Sequence, residues 1–139
     1  MKTIQSLAVC AMMLMFGCAT PISQDDIQML AWDLKDIAEA SVVYDLIENP
    51  EHKEKIIEVR DRLIVFEAFP TEDVTIESLM LLIQQLPIDE LKSPEAQLGI
   101  LAGKLILRRV DRSIDLGLVN DLKPLVTGLR EGMDLGLGD

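Results

Sequence analysis

Few side chains in this chain could do chemistry, and His52 is the first to consider. A histidine that acts as a metal ligand or a general base needs partner groups. His52 is the only histidine, and the only cysteines are Cys10 and Cys18, near the start of the chain. Because His52 falls in the first turn after Pro50, we expect it to be an exposed surface residue.

The acidic residues are numerous, and adjacent pairs such as Asp25 with Asp26 or Glu72 with Asp73 could in principle do acid–base catalysis. Such work requires burial, which moves the pKa of a carboxyl group towards neutrality. These pairs instead fall at predicted helix starts and in loops, where they cap helices and favour solubility. No phosphate-binding glycine loop or nucleophilic serine motif occurs either. The sequence therefore predicts a protein that is not an enzyme and that uses no cofactor or metal.

The composition is strongly acidic, with 13 Lys and Arg against 24 Asp and Glu and a formal net charge of −11. Such a chain is repelled by phosphate backbones and anionic headgroups, which argues against a nucleic-acid partner. Aromatic residues make up only 4% of the 139 residues, so the core must be aliphatic. The length suits one domain and is too short for two with full cores.

The first twenty residues carry the clearest signal in the chain. Lys2 is followed by an apolar run over residues 7–16 and then by Gly17 and Cys18. A short positive segment, an apolar run of roughly 7–15 residues and a small residue before the cut are typical of a secretory signal. A membrane-spanning helix would need roughly 20 apolar residues. The Gly17-Cys18 pair resembles the lipobox of bacterial lipoproteins, with Met15 and Phe16 departing from the usual residues of that motif.

The resemblance implies that residues 1–17 are a lipoprotein signal peptide and are removed. Cys18 would then receive a diacylglyceryl group on its sulfur and an acyl chain, such as palmitate, on its new amine. Residues 18–22 would form the lipidated anchor and a short spacer. In that family an Asp after the lipidated Cys commonly causes retention at the inner membrane. Ala19 at this position implies, in a diderm host, an outer-membrane location facing the periplasm.

Apolar residues repeat at helical spacing through residues 23–139, which predicts an all-α domain, a single small bundle of four or five helices. Capping residues and prolines mark the helix ends. The predicted helices run from Ser23 to Glu48, from Pro50 to before Pro70, from Thr75 to Pro87, from Pro94 to Gly117, and from about Asn120 into the final glycines. Within the second of these, residues 63–66 could also form a short buried strand.

The helix that starts at Ser93 and Pro94 is apolar nearly all round in its first half, so we expect it to be the buried centre of the bundle. It contains the glycine pair Gly99 and Gly103. Charged residues on the same helix argue against dimerisation within a membrane. We therefore expect a neighbouring helix to pack closely against these two glycines.

Trp32 lies almost opposite the main apolar face of the first predicted helix, which leaves two interpretations open. The strip around it is a second core-facing surface, or it is a contact surface for a partner, where tryptophan is favoured because it is amphipathic. Acidic neighbours favour a protein partner over anionic lipid. The candidate partner contacts are Met29, Trp32 and Val43, accompanied by Ile47.

Three hypotheses of function follow. The first is a membrane-anchored, non-enzymatic helical interaction module of the cell envelope, which binds a protein partner or itself and needs an exposed apolar patch. The second is a helical carrier of an apolar ligand, which needs a cavity. Arg60 and Glu67 are polar residues within the apolar face of the second helix. They pair along the helix edge, or Arg60 extends its charged end out to solvent, or the two residues line such a cavity. The third is a phage or prophage accessory lipoprotein, acting in lysis or superinfection exclusion.

Overall fold

The computed structural model describes residues 22–138, which contain five α-helices and no β-strand. The helices are α1 (Ile27–Glu48), α2 (Lys53–Glu67), α3 (Ile76–Ile83), α4 (Pro94–Asp115) and α5 (Lys123–Leu137). The predicted all-α bundle is confirmed over these residues, and residues 63–66 are helical. The predicted signal peptide and Cys18 lie outside the described residues.

Helix starts follow the local signals of the sequence. Ser93 Oγ accepts a hydrogen bond from Ala96 N at 3.3 Å at the start of α4. Thr75 Oγ1 accepts one from Ser78 N at 3.1 Å at the start of α3. Such caps satisfy backbone N–H groups that have no partner within the helix. Each signal could be read from sequence because donor and acceptor lie within three residues of each other.

Helices α1 and α5 approach so closely that no side chain fits between them at three positions. The glycines Gly128, Gly132 and Gly136 recur every fourth residue and so lie on one face of α5. A Cβ atom at Gly132 would lie 2.8 Å from Ala38 Cβ and closer still to the Lys35 carbonyl oxygen of α1. We call this contact the glycine seam. The prediction that the last helix ends among the final glycines is confirmed, since α5 ends at Leu137 and Gly138 is its C-terminal cap.

The centre of the bundle is α1 rather than α4. Helix α1 packs against both α4 and α5, α5 also contacts α2, and α4 contacts α1 and α3. The expectation that the Ser93-Pro94 helix is the buried centre was therefore wrong. Apolar residues surround its first half, but only some of them are covered, and Leu101 is 51% exposed.

The predicted close packing at the glycine pair of α4 is confirmed for one glycine and wrong for the other. A Cβ atom at Gly99 would collide with the side chain of Ser41 on α1. At Gly103 no atom lies within 4 Å of the corresponding position. Only Gly99 is therefore required by helix packing.

The first described residues are hydrogen-bonded to one end of the bundle. Ile22 N donates to Ser113 Oγ near the end of α4 at 2.8 Å. Gln24 N donates to the Leu118 carbonyl oxygen at 3.1 Å. We call this end, where α1 and α5 begin and α4 ends, the N-terminal end. The last turn of α1 and the starts of α2 and α4 lie at the opposite end.

The glycine seam predicts a large difference between two chemically identical substitutions. Gly132→Ala drives a methyl group into the α1 backbone and should lower the free energy of unfolding by about 1–3 kcal/mol, a typical cost of overpacking. Gly103→Ala, in an open position of a helix interior, should raise it by roughly 0.5–1 kcal/mol. Urea unfolding of the two variants measures both values, and equal effects would contradict the seam.

Candidate functional site

Trp32 lies on the surface of the bundle, with 60% of its area exposed. Met29, Val43 and Ile47, which share its side of α1, are also exposed. We call these four residues the Trp32 strip. The interpretation of this strip as a second core-facing surface was therefore wrong, and Trp32 has the exposure that the alternative interpretation, a partner contact, requires.

Trp32 also borders a shallow hollow between α1 and α5. The opposite wall of this hollow comes from the first turns of α5, including Pro124 and Thr127. The indole is thus flanked by a depression that could receive a side chain from another molecule. An exposed aromatic beside a concavity is a common feature of protein–protein contact sites.

The surroundings of the Trp32 strip are acidic. Asp33 and Asp36 are both exposed on α1 between the two apolar pairs of the strip. Partial desolvation by neighbouring groups, and after it repulsion from Asp36, raises the pKa of Asp33 above its usual value. The nearby cation Lys35 forms an ion pair with Glu131 at 3.6 Å. A cationic group on a partner would relieve this repulsion between carboxylates.

The structure corrects the expectation for His52. The side chain is only 4% exposed and is held between two carboxylates. His52 Nδ1 lies 3.0 Å from Asp45 Oδ2, and Nε2 lies 3.2 Å from Glu90 Oε2. Asn49 Nδ2 donates to Asp45 Oδ1 at 2.9 Å. We call Asp45, Asn49, His52 and Glu90 the His52 cluster.

The corner between α1 and α2 explains this burial. Asn49 and Pro50 turn the chain so sharply that His52, at the end of a 3-10 turn, returns to the last turns of α1. Glu90 arrives from the loop between α3 and α4, 38 residues further along the chain. The pairing of His52 with Asp45, seven residues apart, could have been suspected from the tight corner. The contact with Glu90 had no signal in the sequence.

The geometry of the His52 cluster suits a structural role, in which the His52 side chain holds separate elements together. A general base needs a ring nitrogen within reach of a substrate proton. Here both ring nitrogens already face carboxylates, so the ring joins α1 and α2 to the loop before α4. Among residues 22–138, no group of three His, Cys, Asp or Glu side chains is arranged to hold a metal ion.

Arg60 and Glu67 each pair with α5, and the expectation that they pair along the edge of α2 was wrong. Arg60 Nη1 lies 2.7 Å from Asp134 Oδ1, and Arg130 Nε lies 2.5 Å from Glu67 Oε1. Arg130 also bonds Asp134 at 3.1 Å. These four residues form a charged network that joins α2 to α5. Neither Arg60 nor Glu67 lines the apolar cavity described next.

An apolar cavity of about 70 Å³ lies between α1, α3, α4 and α5. Its walls include Leu34, Leu86, Gly103 and Met133, and the Asp45 side chain reaches its edge. Pockets for drug-sized ligands typically measure about 300–1,000 Å³. The cavity is therefore far smaller than such a pocket.

No protein-family model, curated protein or solved structure matches this chain. Within residues 22–138, none of the helices combines the length and the apolar character needed to cross a membrane.

The network between α2 and α5 predicts how stability changes with pH. Burial by itself would raise the pKa of Asp134, but hydrogen bonds and positive charges from Arg60 and Arg130 outweigh it and hold this pKa below its usual value. The carboxylate therefore stabilises the fold at neutral pH. This contribution is lost as the pH falls below about 3.9, the ordinary pKa of Asp, towards the lowered value.

Asp134→Asn should lower the free energy of unfolding at pH 7 by about 1–3 kcal/mol, the range for a lost charged hydrogen bond. It should also reduce the further loss of stability between pH 5 and pH 2, since no carboxylate remains to be protonated. Urea unfolding at several pH values measures both effects. Asp89→Asn, at an exposed position, is the control, and an identical pH profile for the two variants would refute the role of Asp134.

Proposed function

We propose that this protein is a lipoprotein of the cell envelope, anchored through Cys18, and a non-enzymatic helical interaction module. Its working surface is the Trp32 strip, and its partner is a protein. The lipobox-like residues Gly17 and Cys18 support the anchor, and Ala19 supports an outer-membrane location facing the periplasm. The all-α bundle supplies a rigid support for the strip.

The exposure of Trp32 carries this proposal. Tryptophan is enriched among the residues that contribute most to protein–protein affinity. Together with Met29 it presents apolar surface to solvent on a chain that has only one tryptophan. The packing of α1 against α4 and α5 does not need these two side chains.

Charge favours a different protein as the partner over a second copy of this chain. A second copy would bring an identical acidic surface, including Asp33 and Asp36, to the same contact, and facing like charges oppose association. A partner with a basic rim around an apolar pocket fits both properties of the strip. The acidic surroundings likewise disfavour anionic lipid as the target of Trp32.

The size of the internal cavity favours an interaction module over a carrier of an apolar ligand. A carrier must enclose most of the surface of its ligand. An engineered apolar cavity of about 150 Å³ is known to bind benzene. The cavity in this protein, at about 70 Å³, is about half as large.

Mass spectrometry of the membrane-extracted protein tests the anchor. The expected mass lacks residues 1–17 and includes acyl chains, since two or more chains give stable attachment at about 0.8 kcal/mol per buried CH₂. Cys18→Ala should abolish this processing and change membrane partitioning. Cys10→Ala is a matched control, because the proposed mature protein does not contain that residue. An unprocessed wild-type chain would refute the anchor.

Crosslinking in the native envelope tests the Trp32 strip. A photocrosslinking residue at Met29 should give one defined adduct. Trp32→Ala should weaken formation of this adduct by more than about tenfold, as expected for an interface residue that contributes over about 1.4 kcal/mol to the binding free energy. Leu101 is exposed on α4, so a crosslinker there is the control. In the purified partner complex, emission of Trp32 should shift to the blue. Equal adducts from Met29 and Leu101 would leave the strip without a specific role.

A further inference from the structure

We propose that the loop between α4 and α5 rests on the lipid bilayer, with Leu116 and Leu118 in the interfacial layer of the phospholipids. The occupant of this surface is the bilayer that holds the acyl chains of Cys18, and the inference rests on the proposed lipidation of Cys18. It adds a second, separate contact surface to the one around Trp32.

The length of the tether places this loop near the bilayer. Three residues lie between Cys18 and Ile22, the first described residue, so the tether consists of four Cα–Cα steps. A fully extended chain covers at most about 3.3–3.6 Å per residue, so this tether reaches roughly 14 Å or less. The polar layer on each side of the hydrocarbon core is about 5–7 Å thick. Ile22 is therefore held within about 10 Å of the membrane surface.

Hydrogen bonds fix which part of the bundle Ile22 brings to the membrane. Ile22 N donates to Ser113 Oγ, and the Gln24 backbone N donates to the Leu118 carbonyl oxygen. The Gln24 side chain accepts hydrogen bonds from the backbone N of Asn120 at 2.9 Å and of Asp121 at 3.0 Å. Because Ile22 is itself buried, it belongs to the folded bundle, and the tether ends at this residue. The α4–α5 loop consequently lies beside the point where the chain enters from the anchor.

The loop presents the side chains that an interfacial contact requires. Leu116 is 58% exposed and Leu118 is 43% exposed, while Val119 points into the core. Gly117 between the two leucines has φ of +75°, a left-handed conformation that glycine adopts without strain. The turn thus exposes two leucines, one on each side of Gly117. Exposed leucines next to a membrane anchor are stabilised by transfer into the interfacial layer.

The distribution of charge agrees with this orientation. The two segments joined by these hydrogen bonds, residues 22–28 and 108–123, contain five acids and four bases, a net charge of −1. The remainder of the proposed mature chain contains 19 acids and eight bases, a net charge of −11. Anionic headgroups repel acidic surfaces. The nearly neutral segments therefore face the bilayer, and the acidic remainder points away.

Fluorescence quenching by lipids tests the contact. Lipidated mature protein, beginning at Cys18 and carrying Trp32→Phe and Leu118→Trp, is reconstituted in phosphatidylcholine–phosphatidylethanolamine vesicles that contain a lipid with a shallow doxyl quencher. The emission of this reporter should fall at least about twofold and lie to the blue, since interfacial side chains sit about 5–10 Å deep. The control reporter is Leu101→Trp. Leu101 is exposed to a similar extent and lies on α4, 15 residues before Leu116, so the lipid quencher should not change the emission of a tryptophan at this position.

The outcomes separate this inference from the anchor. Acylated, vesicle-bound protein whose two reporters respond equally would overturn the loop contact and leave the anchor intact. A blue shift without lipid quenching would mean that protein, such as a second copy of this chain, covers the loop, which also overturns the loop contact. Protein that lacks acyl chains and does not bind vesicles would overturn the anchor and the loop contact together. Leu116→Trp, checked by circular dichroism, replaces Leu118→Trp if that variant unfolds.

Discussion

The close contact of α1 with α5 is the constraint on which the rest of this bundle depends. Three glycines at four-residue spacing let the two helices approach until their backbones touch, and a Cβ atom at Gly132 would strike the α1 backbone. Dispersion attraction falls steeply with separation, so this approach gains contacts along the whole length of α5. Because the three glycines must face α1, helix α5 can adopt only one rotation about its own axis. With that rotation, Arg130 and Asp134 face α2, where Glu67 and Arg60 meet them.

The same constraint explains the exposed strip on α1. A helix has a limited circumference, and each neighbouring helix covers one part of it. In α1 the parts that face α4 and α5 carry Leu34 and Ile37, which are buried. Within residues 22–138, no third helix is placed over the side that carries Trp32. Apolar surface therefore remains in water beside a pair of carboxylates, which is the physical basis for proposing a protein partner with basic groups.

The two ends of the bundle differ in chemistry. At the N-terminal end, hydrogen bonds join the first described residues to the α4–α5 loop, and the acids and bases of these segments nearly balance. At the opposite end, His52 connects two carboxylates from separate elements and holds the α1–α2 corner against the loop before α4. A helix of 22 residues such as α1 spans about 33 Å, so these two ends are well separated. In the proposed arrangement, one end of α1 lies at the membrane and the other projects from it.

The sequence by itself determined the helical class, the approximate helix limits and the position of Trp32 opposite the main apolar face of its helix. These features depend on interactions within about four residues, such as the Ser93 cap, or on the periodicity of a single helix. It also contains the lipobox-like motif on which the proposed anchor rests. A short-range signal is complete in the sequence because both of its partners lie in the same segment.

Only the tertiary structure decided which helix is central, where His52 lies and what Arg60 contacts. The partners of these groups are distant in the chain: Glu90 lies 38 residues after His52, and Asp134 lies 74 residues after Arg60. The glycines of α5 could have been noticed from their spacing, but the sequence does not state which helix they meet. Helix faces of similar apolar character are interchangeable until packing selects one pairing. That selection is made by the shape of all five helices together, because the fit of any one pair depends on the space that the others leave.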